Sequence, residues 1–173
     1  MEHDMSHLLS FDNNWKNYFL KEKEILLNAL EGQRVNEVLH IGATSVVMCK
    51  TAGTIDLLCA IPSTIELYTI KNILTHKGYQ CVGSIGNFEG MYFVRRGQKK
   101  RIVATVRVVQ YASTKYLSIL SFMHWLHETQ THVEKYNNFR EEALEQYSGN
   151  RAKYEAVKQN YIRSIIDTRC EIK

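Results

Sequence analysis

Proline is almost missing from this chain: Pro62 is the only one in 173 residues. That excludes a proline-rich linker, and no low-complexity stretch or internal repeat takes its place. Cysteine is sparse as well. Cys49, Cys59, Cys81 and Cys170 contain no C-x-x-C pair, which speaks against a disulfide framework or a zinc ribbon. Reduced, mostly buried thiols of a cytoplasmic protein are the expectation. No window holds 18 consecutive apolar residues, so no membrane span is expected. The opening MEHDMSHLLSFDNNW has neither a basic n-region nor an apolar h-region, and no secretory signal is expected there. A net charge of +4 is too small to name an anionic partner.

What is present is an ordinary globular composition, 45% apolar and 23% charged. The length suits a single domain, residues 1–173, in two halves. The half up to about residue 112 reads as a mixed β-sheet with flanking helices, and residues from about 113 onward read as helical. The fold class is therefore α/β (α+β). Asp12 is expected to cap a helix running to about Leu30, stopped by Gly32. Its apolar stripe, Trp15, Phe19, Ile25, Leu26 and Ala29, is broken by one acid, Glu22. Strands are expected at Val35–Ile41 and over residues 54–61. A helix opens at Pro62 and closes at Lys77-Gly78. Three more strands follow, Tyr79–Val82, Met91–Arg95 and Ile102–Gln110. Gly83, Gly86 and Gly90 mark a loop, and Gly97 is available for the turn of a basic hairpin. Three helices, built on Leu117 to Leu126, Val133 to Tyr147 and Tyr154 to Ile165, complete the chain, with a charged tail after Asp167.

Function points first to HIGATSVVMCKTAGTIDLL, residues 40–58. A short apolar strand ends at Ile41, a small-residue turn follows, and the next strand carries Asp56 among Ile55, Leu57 and Leu58. A carboxylate in such a run is costly unless it is hydrogen-bonded or meets a cation or a substrate. His40 beside the turn is either an acid–base or phosphate-donor residue or a brace for the loop.

This stretch resembles the signature of the GrpB-like family, which reads HIGSTSVPGLxAKPxIDI at this point. The resemblance continues through Trp15 and Phe19, Gly78-Tyr79, Tyr92-Phe93, Val108-Val109-Gln110-Tyr111 and Tyr154…Lys158…Tyr161-Ile162. It implies a nucleotidyltransferase fold, a nucleoside triphosphate ligand and Mg²⁺. Gly42, Thr44 and Ser45 would then be the phosphate-side positions and Asp56 the metal-side position, with Arg107 and Lys158 offsetting charge. Small residues let backbone N–H groups approach phosphate, and carboxylates hold the ion. There are departures. Ala43 replaces a serine, Val47-Met48 replaces Pro-Gly, and Ala52-Gly53 replaces Lys-Pro. Leu58 stands where a second acid would complete a nucleotidyltransferase pair. The family's HHLHVV strand is Ala104-Thr105-Val106-Arg107-Val108-Val109 here, with no histidine. Glu89 is the only other acid in view for the site.

A second reading comes from six cations within thirteen residues, Arg95, Arg96, Lys99, Lys100, Arg101 and Arg107. They suit either a solvated, edge-protecting hairpin or a non-catalytic module for phosphate-bearing ligands or RNA. His124, His127 and His132 are too few for a zinc site without another ligand. No cysteine has an evident base partner. Oligomeric state is not written in the sequence.

Overall fold

The computed structural model describes residues 8–85 and 89–171. Residues 1–7, Gly86 and the Cys170 side chain lie outside what it describes. The elements follow in the order α1 (Trp15–Ala29), β1 (Glu37–Ile41), β2 (Ile55–Ile61), α2 (Leu67–His76), β3 (Tyr79–Ile85), β4 (Gly90–Arg96), β5 (Ile102–Gln110), α3 (Thr114–Glu128), α4 (Gln130–Gln146) and α5 (Arg151–Glu171). The expected α+β class, a mixed sheet followed by a helical half, is the one that forms.

The strands make one sheet in the order β1-β2-β5-β4-β3. β2 and β5 run parallel at its centre and the other pairs are antiparallel. These two strands read as nearly continuous apolar runs because both of their faces are covered. On one face α1 and α2 bring Phe19, Leu26, Ile70 and Leu74 against Leu57, Phe93 and Val106. On the other, α3 and α4 bring Phe122, Trp125 and Tyr136 against Leu58, Ala60 and Val109, with Tyr161 and Ile162 of α5 alongside.

Local chemistry sets several boundaries differently from expectation. Asp12 does not cap α1. Its carboxylate accepts from the Asn14 backbone (2.8 Å) and side chain (3.0 Å), making a turn ahead of the helix. α3 and α4 are capped by side chains, Ser113 accepting from the Tyr116 amide and Thr129 from the His132 amide. Gly83 lies within β3, where the ladder shifts register between Cys81 and Gly83, and Gly90 opens β4. In the basic hairpin Gly97 is extended, and Lys99 and Lys100 take the left-handed conformation. The charged tail after Asp167 is helical through Glu171, and Arg169 pairs with Glu128 at 2.6 Å.

The acid that interrupts the α1 stripe has a partner. Glu22 is buried and accepts from both Arg95 Nε (2.8 Å) and Arg95 Nη2. This removes one cation from the hairpin cluster and spends it inside the protein. Burial also pushes the neighbouring Tyr79 phenol up to about 12, and its hydroxyl has no hydrogen-bond partner in the described structure. Breaking a buried pair leaves an uncompensated charge. Arg95 keeps 24% of its side chain exposed, so the cost falls toward the lower end of the buried range. Arg95→Ala is expected to lower unfolding free energy by about 2–4 kcal/mol in urea titration. The double variant Glu22→Leu/Arg95→Met should recover most of that loss.

Candidate active site

Asp56 is the second residue of β2, and the parallel register sets it directly opposite Thr105 of β5. Alternation sends its side chain, with those of Leu58 and Ala60, toward the α3–α5 face. There Thr105, itself buried, donates a hydrogen bond to Asp56 Oδ1. The cost of a carboxylate in an apolar strand is met by this neutral donor. The second oxygen faces the turn after β1. Gly42 has φ +74° and ψ −172°, and a Cβ built there would collide with Asp56 Oδ2. Glycine is required twice, by its conformation and by the approach of the carboxylate.

The turn is a single 3₁₀ turn, Ala43–Ser45, and no α-helix starts there. Its hydroxyls are engaged inside the protein. Ser45 Oγ donates to the Gly42 carbonyl (2.7 Å). Thr44 is buried, with Oγ1 bonded to His40 Nε2 (2.9 Å) and to the Thr54 carbonyl (3.4 Å). The Gly42 amide points at Met123 Sδ of α3 (3.2 Å). The Thr44 and Ser45 hydroxyls and the Gly42 and Ser45 amides are therefore all engaged within the protein.

His40 leaves the sheet on the opposite face from Asp56. Its ring stacks on Phe19 of α1, centroids 4.5 Å apart and planes nearly parallel. Burial lowers its pKa to about 4. A neutral imidazole that ties Thr44 from behind braces the turn, the second of the two readings its position allowed.

Arg107 shares the Asp56 face, two residues beyond Thr105 on the same strand. It sits 6.0 Å from the centroid of the Tyr92 ring, and Tyr92 is its register partner on β4. Tyr92 is half-buried on this side of the sheet. Burial pushes its pKa up, helped by the charge of Asp56 and, more weakly, of Glu155 on α5. Lys158 lies one turn beyond Glu155, pairs with it at 2.7 Å and covers the Tyr154 ring. Glu89 does not join the group. It precedes Gly90, which pairs with Val109, and four residues of strand, roughly 13 Å, separate that end of the sheet from Thr105.

Reasoning from sequence missed Thr105 and Tyr92. Only the register of β2 on β5 and of β5 on β4 brings them to Asp56. It also missed the grip of α4 on the loop that follows the turn. Asn137 accepts from the Lys50 amide (2.9 Å) and donates to the Met48 carbonyl (3.0 Å). Arg140 is buried, donates to the Lys50 carbonyl and, through Nε, to the Tyr154 hydroxyl (3.3 Å), and packs on the Tyr136 ring.

Among the described residues no group of three or more His, Cys, Asp or Glu side chains is placed to share a metal ion. His132 stacks on Trp125 and bonds its carbonyl, and His124 meets Glu128. Burial raises the Cys49 thiol and pushes Cys59 up to about 12, away from nucleophilic chemistry. No described helix is long and apolar enough to cross a membrane.

A family model described as GrpB protein matches residues 6–168. The chain belongs to the GrpB family. Its fold is similar to that of the crystal structure of conserved protein GrpB from Enterococcus faecalis, with TM-score 0.79 and 21% sequence identity over 94% of this chain and 96% of that one. A second solved structure, from Bacillus halodurans, matches 58% of this chain and 91% of its own at 12% identity and TM-score 0.40, too distant to carry weight. No curated protein matches the sequence. Family membership agrees with the resemblance drawn from residues 40–58, and the Enterococcus structure supports the fold.

Two outcomes are expected from this geometry. Gly42→Ala should cost about 1–3 kcal/mol of stability in thermal or urea unfolding and displace Asp56 from Thr105. For His40 the folded pKa of about 4 lies below the ordinary 6.5, so the unfolded chain binds the proton more readily. Its contribution is complete above about pH 6.5 and is lost as pH falls toward 4. Allowing for partial exposure, the loss is of order 1–2 kcal/mol. A urea series from pH 7 to pH 4 should show a shallower decline for His40→Phe than for the parent.

Proposed function

We propose that this chain binds a nucleoside triphosphate with Mg²⁺ on the α3–α5 face of the sheet and transfers its nucleotidyl group. One observation carries the reading. Asp56 is a half-buried carboxylate on a central strand, with one oxygen held by Thr105 and the other turned to a glycine that admits no side chain. Arg107 is on the same face and Lys158 sits one turn beyond Glu155, whose charge reaches Tyr92.

Mg²⁺ prefers oxygen ligands and usually retains water and substrate phosphates in its shell. A single carboxylate suits one such ion arriving on the triphosphate, and it does not suit a protein-held pair. Bound there, the ion would neutralise phosphate charge and align the reacting oxygens. The residues of the chain would do the rest. The small-residue turn at Gly42 and Ala43 would leave room beside Asp56 for the phosphates, Arg107 and Lys158 would offset their charge, and His40 would hold the turn from the far face. Lys158 would exchange Glu155 for the ligand. In the transfer an acceptor oxygen bonds the α-phosphorus while the bond to the bridging oxygen breaks. Pyrophosphate leaves with that electron pair, and the acceptor proton passes to water.

A metal-independent reading, with a phosphate-bearing ligand or RNA at the hairpin, rests on Lys99, Lys100 and Arg101, which remain exposed. It loses Arg95 to Glu22, and Arg96 is engaged by the Lys100 carbonyl (2.9 Å). Calorimetric titration of the four ribonucleoside triphosphates, with and without Mg²⁺, separates the two. Binding that requires Mg²⁺ and disappears in Asp56→Asn, with the melting temperature nearly unchanged, is the expected result. Asparagine still accepts from Thr105, so the fold is spared. Binding that survives the substitution would sink the assignment. Binding indifferent to Mg²⁺ but steeply weakened by salt would favour the hairpin.

A further inference from the structure

The sheet has an open edge at β3, and no described segment pairs with its outer side. Natural edge strands are blunted by lysine, proline or irregularity, because a free row of N–H and C=O groups invites another strand. β3 reads YQCVGSI and contains neither a charged residue nor proline. Its one irregularity, the bulge at Cys81/Gly83, leaves Val82 pointing outward, 46% exposed. Beside it, between β3 and α2, lies a hollow of about 380 Å³ lined in part by Tyr68, Lys71, Val82 and Met91. Tyr68 is 63% exposed, an unusual state for a large ring on a packed helix.

The charges that would normally sit on the edge lie around it instead. Lys71 lines the hollow. Arg96 reaches Gln80 of β3 through Nε at 3.4 Å, and Lys99, Lys100 and Arg101 extend from the same end, all exposed. The described carboxylate nearest along the chain, Glu89, is at the other end of β3, beyond its pairing with Gly90. Antiparallel pairing of two copies would set the basic end of each against the Glu89 end of the other, so a second copy is an alternative outcome of the test. The cations at the hairpin end favour an incoming strand that is acidic there. Single-stranded RNA fits less well, since residues 96–101 contain no aromatic ring on which a base could stack.

We propose that the outer edge of β3 is a docking site for an acidic extended peptide of a partner protein. The peptide adds as a sixth strand along Gln80–Ser84. It places one apolar or aromatic side chain in the hollow over Tyr68 and Met91, and its carboxylates lie toward Arg96, Lys99 and Lys100. Main-chain hydrogen bonds would supply affinity, while the hollow and the charges would supply selectivity.

The test is a panel of labelled seven-residue peptides, each with a central phenylalanine and acidic residues at one end or the other, each matched by a charge-inverted copy. Fluorescence anisotropy reads affinity, and amide hydrogen exchange of the full chain reads location. Acidic peptides should bind about tenfold more tightly than their inverted copies. They should slow exchange at Gln80–Ser84, and lose their advantage in Lys99→Glu/Lys100→Glu. Val82→Glu, which sets a like charge at the exposed edge position, should weaken binding of the acidic peptides with little effect on melting. Equal binding of both charge types, protection away from β3, or no binding in the panel would overturn the proposal. So would a concentration-dependent dimer protected at β3, or an oligoribonucleotide that displaces the peptides while protecting only the hairpin.

Discussion

The parallel pairing of β2 with β5 is the constraint on which the site depends. It joins the first part of the sheet to the β3–β4–β5 meander and sets Asp56 against Thr105. Side chains alternate along a strand, so a slip of one residue would turn Asp56 toward the α1–α2 core and Leu57 toward the site. The apolar faces forbid that. Leu57 and Val106 belong to one core and Leu58 and Val109 to the other, all fully buried. Burial energy thereby fixes the position of a polar group, and Arg107 and Tyr92 follow from the same register.

Much of this is legible in the residues themselves, for local reasons. Asp56 stands out because a lone acid in an apolar run needs an explanation, and Glu22 stands out for the same reason in a helical stripe. β5 is recognisable at its observed bounds because Ile102–Gln110 is strand-forming throughout. What cannot be read is who meets whom. Neither Thr105 nor Arg95 carries a mark that names its partner, since register and packing are properties of two segments together. The basic hairpin is overcounted for this reason, as Arg95 belongs to Glu22. The same limit applies to Glu89, whose glycine-rich surroundings fix no position in the sequence and which the pairing of Gly90 with Val109 places away from Asp56.

The departures from the family pattern have physical counterparts. Met48 stands where the family has glycine, and its φ is +65°. A side chain in that conformation costs roughly 1 kcal/mol or more. The turn is retained because α4 grips it on both sides, through Asn137 at the Met48 carbonyl and the Lys50 amide and through Arg140 at the Lys50 carbonyl. Ala43 in place of serine removes a hydroxyl from a turn whose remaining hydroxyls, on Thr44 and Ser45, are turned inward. The backbone of the turn keeps its shape while its side chains withdraw.

That grip has an electrostatic consequence. The Arg140 guanidinium stays charged at any pH at which the protein is folded, and no carboxylate lies within ion-pair distance of it among the described residues. Its company is a ring, a phenol and a carbonyl. A cation in such surroundings is weakly screened and acts over distance. The loop after the turn is thus fastened by a charge that a ring, a phenol and a carbonyl solvate from within the core, so its hold does not release as pH changes.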